Sequence, residues 1–223
     1  MIDRQTWAEV DLSAIRRNVR NLVALASGGE TVCAVIKADG YGHGAAPVAR
    51  ACIEAGAVSL AVAFVDEGVE LRRAGIVEPI LVLGCTGEEG ARRAIGWGLS
   101  LVTVSEENAR LLAAEAERMG RIAKLHLKID TGMARLGIDP SEAAGVAASV
   151  AGLPGAMIEG VCSHFADADA ADGAFAEHQL RRFNDAVAAI RKAGVHGFAR
   201  HIANSAALRS EEHTSELQSR QVI

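Results

Sequence analysis

From about residue 30 onward, short apolar runs alternate with longer stretches that place apolar residues at helical spacing, and this alternation restricts the fold more than anything else in the chain. The runs at 31–36, 59–63, 80–83, 100–104, 123–129, 156–163 and 198–202 are short and apolar or β-branched, as parallel strands buried on both faces should be. Between them, Leu180, Phe183, Val187 and Ile190 recur at helical spacing, as do Leu12, Ile15, Val19 and Leu22 ahead of the first run. Ser105 followed by Glu106 and Glu107 reads as a helix start, and so does Asp139-Pro140-Ser141-Glu142. Gly56, Gly75 and Gly194 mark expected helix ends.

Seven strands in strict alternation with helices imply an α/β protein with a parallel sheet and right-handed crossovers. Two architectures fit: an open doubly wound sheet, or a (β/α)8 TIM barrel that is incomplete, with about seven of eight strands. No G-x-G-x-x-G follows the first strand, which weakens the dinucleotide-binding version of the open sheet. At 223 residues the chain is long enough for one large domain.

The composition excludes several classes. The net charge of −5 is spread out, with Arg72, Arg73, Arg92 and Arg93 interleaved with acids and no basic stripe, so no nucleic-acid partner is expected. Cys33, Cys52, Cys85 and Cys162 form no C-x-x-C pair, which argues against a disulfide framework and against a metal site. The start Met1-Ile2-Asp3-Arg4 has no signal-peptide character and no apolar run reaches membrane-spanning length. A cytoplasmic protein with no membrane partner is expected.

Unusual polar residues gather where a barrel keeps its chemistry, at the C-terminal ends of the strands. The first strand ends on Lys37 and runs into Ala38-Asp39-Gly40-Tyr41-Gly42-His43-Gly44. A primary amine fixed there can condense with an aldehyde, and the glycines let a backbone or a phosphate come close. In the fifth strand His126, Lys128 and Asp130 share one face, leading into Thr131-Gly132-Met133-Ala134-Arg135. The sixth ends at Ser163-His164 and the seventh at His201, followed by Asn204-Ser205. Plainer roles compete at each position: Lys128 paired with Asp130, His164 a hydrogen-bonded core histidine, Asn204-Ser205 a helix cap, Arg135 a surface arginine. Their convergence on one rim favours a site.

These segments resemble the alanine racemases. The similarity runs from about residue 6 to 208 through Thr6-Trp7-Ala8-Glu9-Val10-Asp11, the Lys37 segment, Leu60-Ala61-Val62-Ala63, Leu81-Val82-Leu83-Gly84, His126-Leu127-Lys128-Ile129-Asp130-Thr131-Gly132-Met133 and Ala203-Asn204-Ser205-Ala206. The resemblance implies pyridoxal 5'-phosphate held on Lys37, which also serves as the base on the D-alanine side. It implies phosphate contacts from Tyr41 and Ser205 with Asn204 beside them, and His164 packed against the pyridine ring. Arg135 would meet the cofactor's phenolic oxygen and the substrate, Met133 the substrate carboxylate through its backbone, and Lys128 would be a carbamate that orients Arg135. The reaction implied is interconversion of L- and D-alanine, supplying D-alanine for peptidoglycan, in a homodimer whose second acid/base is a tyrosine of the partner. Two other readings stay open: a non-catalytic pyridoxal-phosphate carrier, and a racemase or decarboxylase for another amino acid.

The resemblance stops near Leu208. Residues 1–208 read as the barrel domain and 209–223 as a non-native, adapter-like tail. The eighth strand and the C-terminal β domain are expected to be absent, and the fragment is expected to be inactive.

Overall fold

All seven expected strands form, each within one residue of the expected limits at either end. The computed structural model describes residues 6–26, 29–209 and 221–222. In chain order it comprises α1 (Leu12–Leu25), β1 (Thr31–Val35), α2 (Lys37–Gly42), α3 (Ala45–Glu54), β2 (Ser59–Val62), α4 (Val65–Arg73), β3 (Ile80–Val82), α5 (Glu88–Gly96), β4 (Ser100–Thr103), α6 (Glu106–Arg118), β5 (Ala123–Lys128), α7 (Ala143–Ala151), β6 (Ala156–Cys162), α8 (Ala174–Lys192), β7 (Ala199–His201), α9 (Ser205–Arg209) and β8 (Gln221–Val222).

The strands form one parallel sheet in the order β7-β6-β5-β4-β3-β2-β1-β8. It is an incomplete (β/α)8 barrel: β1 to β7 curl in sequence order, and β7 is not laddered to β8. The two-residue β8 sets Gln221 and Val222 beside Thr31 and Val32, so the β1 edge carries a short eighth strand that was not expected. Most of the expected tail, residues 210–220, lies outside the described residues.

Side-chain alternation divides the strands into two faces. Leu60, Ile80, Leu101, Leu125, Leu127 and Ile129 point toward the helices and are fully buried, each contributing about 1.5–3 kcal/mol by leaving water. The other face lines the barrel interior with the smaller set Cys33, Ala61, Leu81, Val102 and Cys162. His126 also lies on this inner face, and Gly160 makes room for it: a Cβ at position 160 would sit 2.2 Å from His126 Nδ1.

Helix starts match the sequence signals with one correction. The Ser105 hydroxyl accepts from Asn108 N–H at 3.1 Å and caps α6 as expected. Asp139, in contrast, accepts from Ser141 N–H at 2.9 Å and closes a local turn, so regular helix begins only at Ala143. Aspartate can satisfy its own backbone two residues on, and here that turn wins over the helix cap.

Candidate active site

β1 ends at Val35, and buried Ile36 delivers Lys37 to the C-terminal rim. The next four residues are all left-handed: Ala38 (φ +52°), Asp39 (+53°), Gly40 (+62°) and Tyr41 (+56°). Three of them carry a Cβ, and a left-handed helical conformation costs each about 1–2 kcal/mol. The surroundings offset that strain. Asp39 Oδ1 accepts from Ala45 N–H at 2.6 Å and Glu67 Oε1 accepts from Ala38 N–H at 2.6 Å. The turn sets the Tyr41 ring with its centroid 5.9 Å from Lys37 Nζ.

The loop after β5 folds back on its own strand. Ile138 N–H donates to Lys128 C=O at 2.8 Å, and Asp130 N–H donates to Ile138 C=O at 2.9 Å, leaving Arg135 exposed on the loop between them. Gly137 allows this return: its φ is +144°, and a Cβ there would lie 2.6 Å from Asp130 N. Asp130 Oδ1 accepts from Gly132 and Ala134 N–H at 3.0 Å each, so this carboxylate anchors the loop, while its charge lies near enough to Lys128 to favour the ammonium in part. Burial, with Arg135 adding to it, holds the Lys128 ammonium below the usual lysine range.

His164 follows β6. Burial first, then the cations Lys128, Arg135 and Lys37, push its imidazole down to about 4, so it is neutral at pH 7. Behind it lies a buried polar cluster. Gln179 on α8 donates to His164 C=O at 3.0 Å and to Thr131 Oγ1 at 3.1 Å, and accepts from Ala166 N–H at 2.9 Å. Thr131 Oγ1 also meets Ser163 Oγ at 2.8 Å, so one fully buried glutamine joins the loops that carry Arg135 and His164.

A second polar chain runs through the interior. Glu159 accepts from Ser100 Oγ and pairs with Lys124 at 3.3 Å. It also meets His126 Nε2 at 3.3 Å, and His126 Nδ1 lies 2.7 Å from His201 Nε2. These contacts, the His126 hydrogen bond foremost, hold the Glu159 carboxyl down at about 2. His201 is fully buried, and burial keeps its ring well below the usual histidine range. Its Nδ1 has no hydrogen-bond partner among the described residues.

A cavity of about 900 Å³ opens on this rim, and Lys37, Tyr41, Lys128, Arg135, His164, Asn204 and Ser205 line it, with His201 in its wall. Met133 sits in the Arg135 loop but not on the cavity wall. Asn204 also has the plainer role, its Oδ1 accepting from Ala206 and Ala207 N–H at 3.1 and 3.0 Å. The donor set suits a flat, aldehyde-bearing anion: an amine, two hydroxyls, a guanidinium, a neutral imidazole and an unpartnered buried ring nitrogen. Sequence reasoning missed Glu67, Glu159 and Gln179. Gln179 has a visible signal, a polar residue on the apolar stripe of α8 beside Ala176, Leu180 and Phe183.

Residues 10–219 match the family described as alanine racemase, N-terminal domain. The alanine racemase of Desulfovibrio desulfuricans is 45% identical over 208 residues, covering 93% of this chain and 56% of that protein. That of Symbiobacterium thermophilum is 47% identical over 205 residues, covering 92% and 54%. Among solved structures, Clostridium difficile alanine racemase in complex with cycloserine aligns at a TM-score of 0.94 and 34% identity, over all of this chain and 60% of that one. Bacillus anthracis alanine racemase with bound L-Ala-P aligns at 0.90 and 36%, over all of this chain and 57% of that one. The chain spans about half the length of the curated relatives it matches.

Proposed function

The chain belongs to the alanine racemase family, and from that membership we propose that it is the cofactor-binding part of a pyridoxal-phosphate-dependent isomerase that interconverts L- and D-alanine. The observation that carries this reading is the meeting of Lys37, Tyr41, Arg135, His164 and Ser205 around one cavity. When bound there, pyridoxal phosphate delocalises the negative charge that develops at the substrate Cα and so acidifies its proton.

The chain's own residues hold and orient. Lys37 Nζ would hold the cofactor through its aldehyde and would serve as the base that takes or returns the Cα proton on the D-alanine side. Tyr41 and Ser205, with Asn204 beside them, would donate to the phosphate. His164, neutral at pH 7, would lie against the ring and add no positive charge to it. Arg135 would contact the phenolic oxygen and the substrate; Met133, in the same loop but off the cavity wall, would reach the substrate carboxylate through its backbone alone. Lys128 is held toward its neutral amine, the form that adds carbon dioxide, and the resulting carbamate anion would orient Arg135. Racemisation needs a second proton carrier on the opposite face, and Tyr41 is the only tyrosine of the chain. We assign that role to a partner subunit in a homodimer.

The proposed setting is the cytoplasm, with D-alanine supplied for peptidoglycan and free alanine, not nucleic acid or membrane, as the partner. Among the described residues no helix is long and apolar enough to cross a membrane. The proposed domain is 1–208, followed by an adapter-like tail at 209–223, which resequencing of the locus tests. The functional reading is tested by incubating the chain with pyridoxal phosphate, reducing with borohydride and mapping the labelled peptide. Label on Lys37, abolished in Lys37→Ala, is expected together with D/L-alanine interconversion by the full-length protein. Label elsewhere, or none, overturns it.

A further inference from the structure

Glu67 directs its whole carboxylate at backbone. Oε2 accepts from Ala63 N–H at 2.7 Å and Phe64 N–H at 2.9 Å, and Oε1 from Ala38 N–H at 2.6 Å. The first two bonds are what a first-turn glutamate does for its own helix, here α4. The third serves a different element, the left-handed turn α2. It reaches from the first turn of α4 to the residue that directly follows Lys37.

Ala38 is also where the left-handed run begins, and a run with three non-glycine residues in that region persists only where its surroundings determine it. Its other anchors are local: Gly40 N–H donates to Ile36 C=O at 3.0 Å, and Asp39 Oδ1 accepts from Ala45 N–H. Of these side-chain anchors, Glu67 is the one that ties the run to a different strand of the barrel, β2. Glu67 is half-buried and Ala38 exposed, so the bond is charge-assisted but open to water.

We infer that Glu67 is a positioning residue for Lys37: by holding Ala38 N–H it fixes the left-handed turn that presents the lysine amine to the cavity and Tyr41 beside it. The inference rests on the reading of Lys37 as the cofactor-binding amine. Its structural half, the clamp, stands without the cofactor.

Glu67→Gln is the informative variant because it keeps size and shape. Its single acceptor oxygen can serve Ala38 or the Ala63–Phe64 pair, and its NH2 faces a donor on the other side. Ser105→Ala, which removes the cap of α6 far from Lys37, is the control for a general loss of helix stability. Two quantities are measured in each full chain: amide hydrogen exchange of the peptide covering residues 37–42 without cofactor, and the rate of borohydride-trapped pyridoxal phosphate on Lys37. In Glu67→Gln, exchange should rise and trapping should slow by about tenfold or more, the weight of one charge-assisted hydrogen bond. Ser105→Ala should lower the melting temperature while moving neither. If Glu67→Gln behaves like Ser105→Ala in both readouts, Glu67 is a helix cap alone and the inference is overturned. If the unmodified chain traps no cofactor on Lys37, the functional reading falls and the exchange arm alone decides the clamp.

Discussion

The turn after β1 and the paired loops after β5 and β6 reach the same cavity by opposite means. The turn is strained, largely exposed and held by two carboxylates, Asp39 and Glu67, each accepting from backbone N–H groups. The loops are held from behind by a neutral cluster centred on the fully buried Gln179 and Thr131. Charged acceptors in contact with water make strong bonds whose loss is partly compensated by solvent. A buried amide makes ordinary bonds whose loss solvent cannot repair. The contrast predicts that the loop side is costly to break globally, and that damage to the turn is cheap globally and felt mainly at Lys37.

The largest effect should come from Gln179→Leu, which removes the partner of the His164 carbonyl and of Ala166 N–H, both part-buried bonds, and one of the contacts of buried Thr131. A loss of about 3 kcal/mol is expected in urea unfolding. A loss near zero would mean that the two loops do not depend on the amide. Next comes pH. His164 falls from its ordinary 6.5 to about 4 on folding, so the unfolded chain takes up its proton first. Its contribution is therefore complete above pH 6.5 and is lost as pH falls from 6.5 toward 4. The slope should be under about 1.4 kcal/mol per unit because the ring is partly solvated. Unfolding curves at pH 7 and 5 should lie closer together in His164→Gln than in the parent chain. The smallest global effect belongs to the turn: Asp39→Ala should cost about 1 kcal/mol, the usual weight of a capping acceptor. Its borohydride trapping at Lys37 should nevertheless fall more than it does in Gln179→Leu. Reversal of that order would erase the comparison.

The same two regions show what a sequence discloses. Period and composition located all seven strands because buried parallel strands need continuous apolar runs, and the rim residues followed from where those runs end. The lysine, the histidine and the serine were therefore legible. The left-handed turn was not, since alanine, aspartate and tyrosine have no intrinsic preference for it and tertiary contacts override their propensity. Glu67 was hidden because a first-turn glutamate looks the same whether or not it also reaches another strand. The interior chain from Lys124 to His201 spans residues 75 apart between its two histidines, a distance that no local pattern encodes. The short β8 is set by the partner edge it lies against, with two residues too few to show a period.

The four cysteines have a practical consequence. Cys33 and Cys162 are buried on the inner face of the strands and Cys52 on the buried face of α3, and burial pushes all three thiols up to about 11. Cys85 alone is exposed. Reactivity toward a maleimide or aromatic disulfide follows thiolate content and access, so the native barrel should titrate as one fast sulfhydryl and the denatured chain as four. The molecule thus carries its own stoichiometric dye test for whether the barrel is intact.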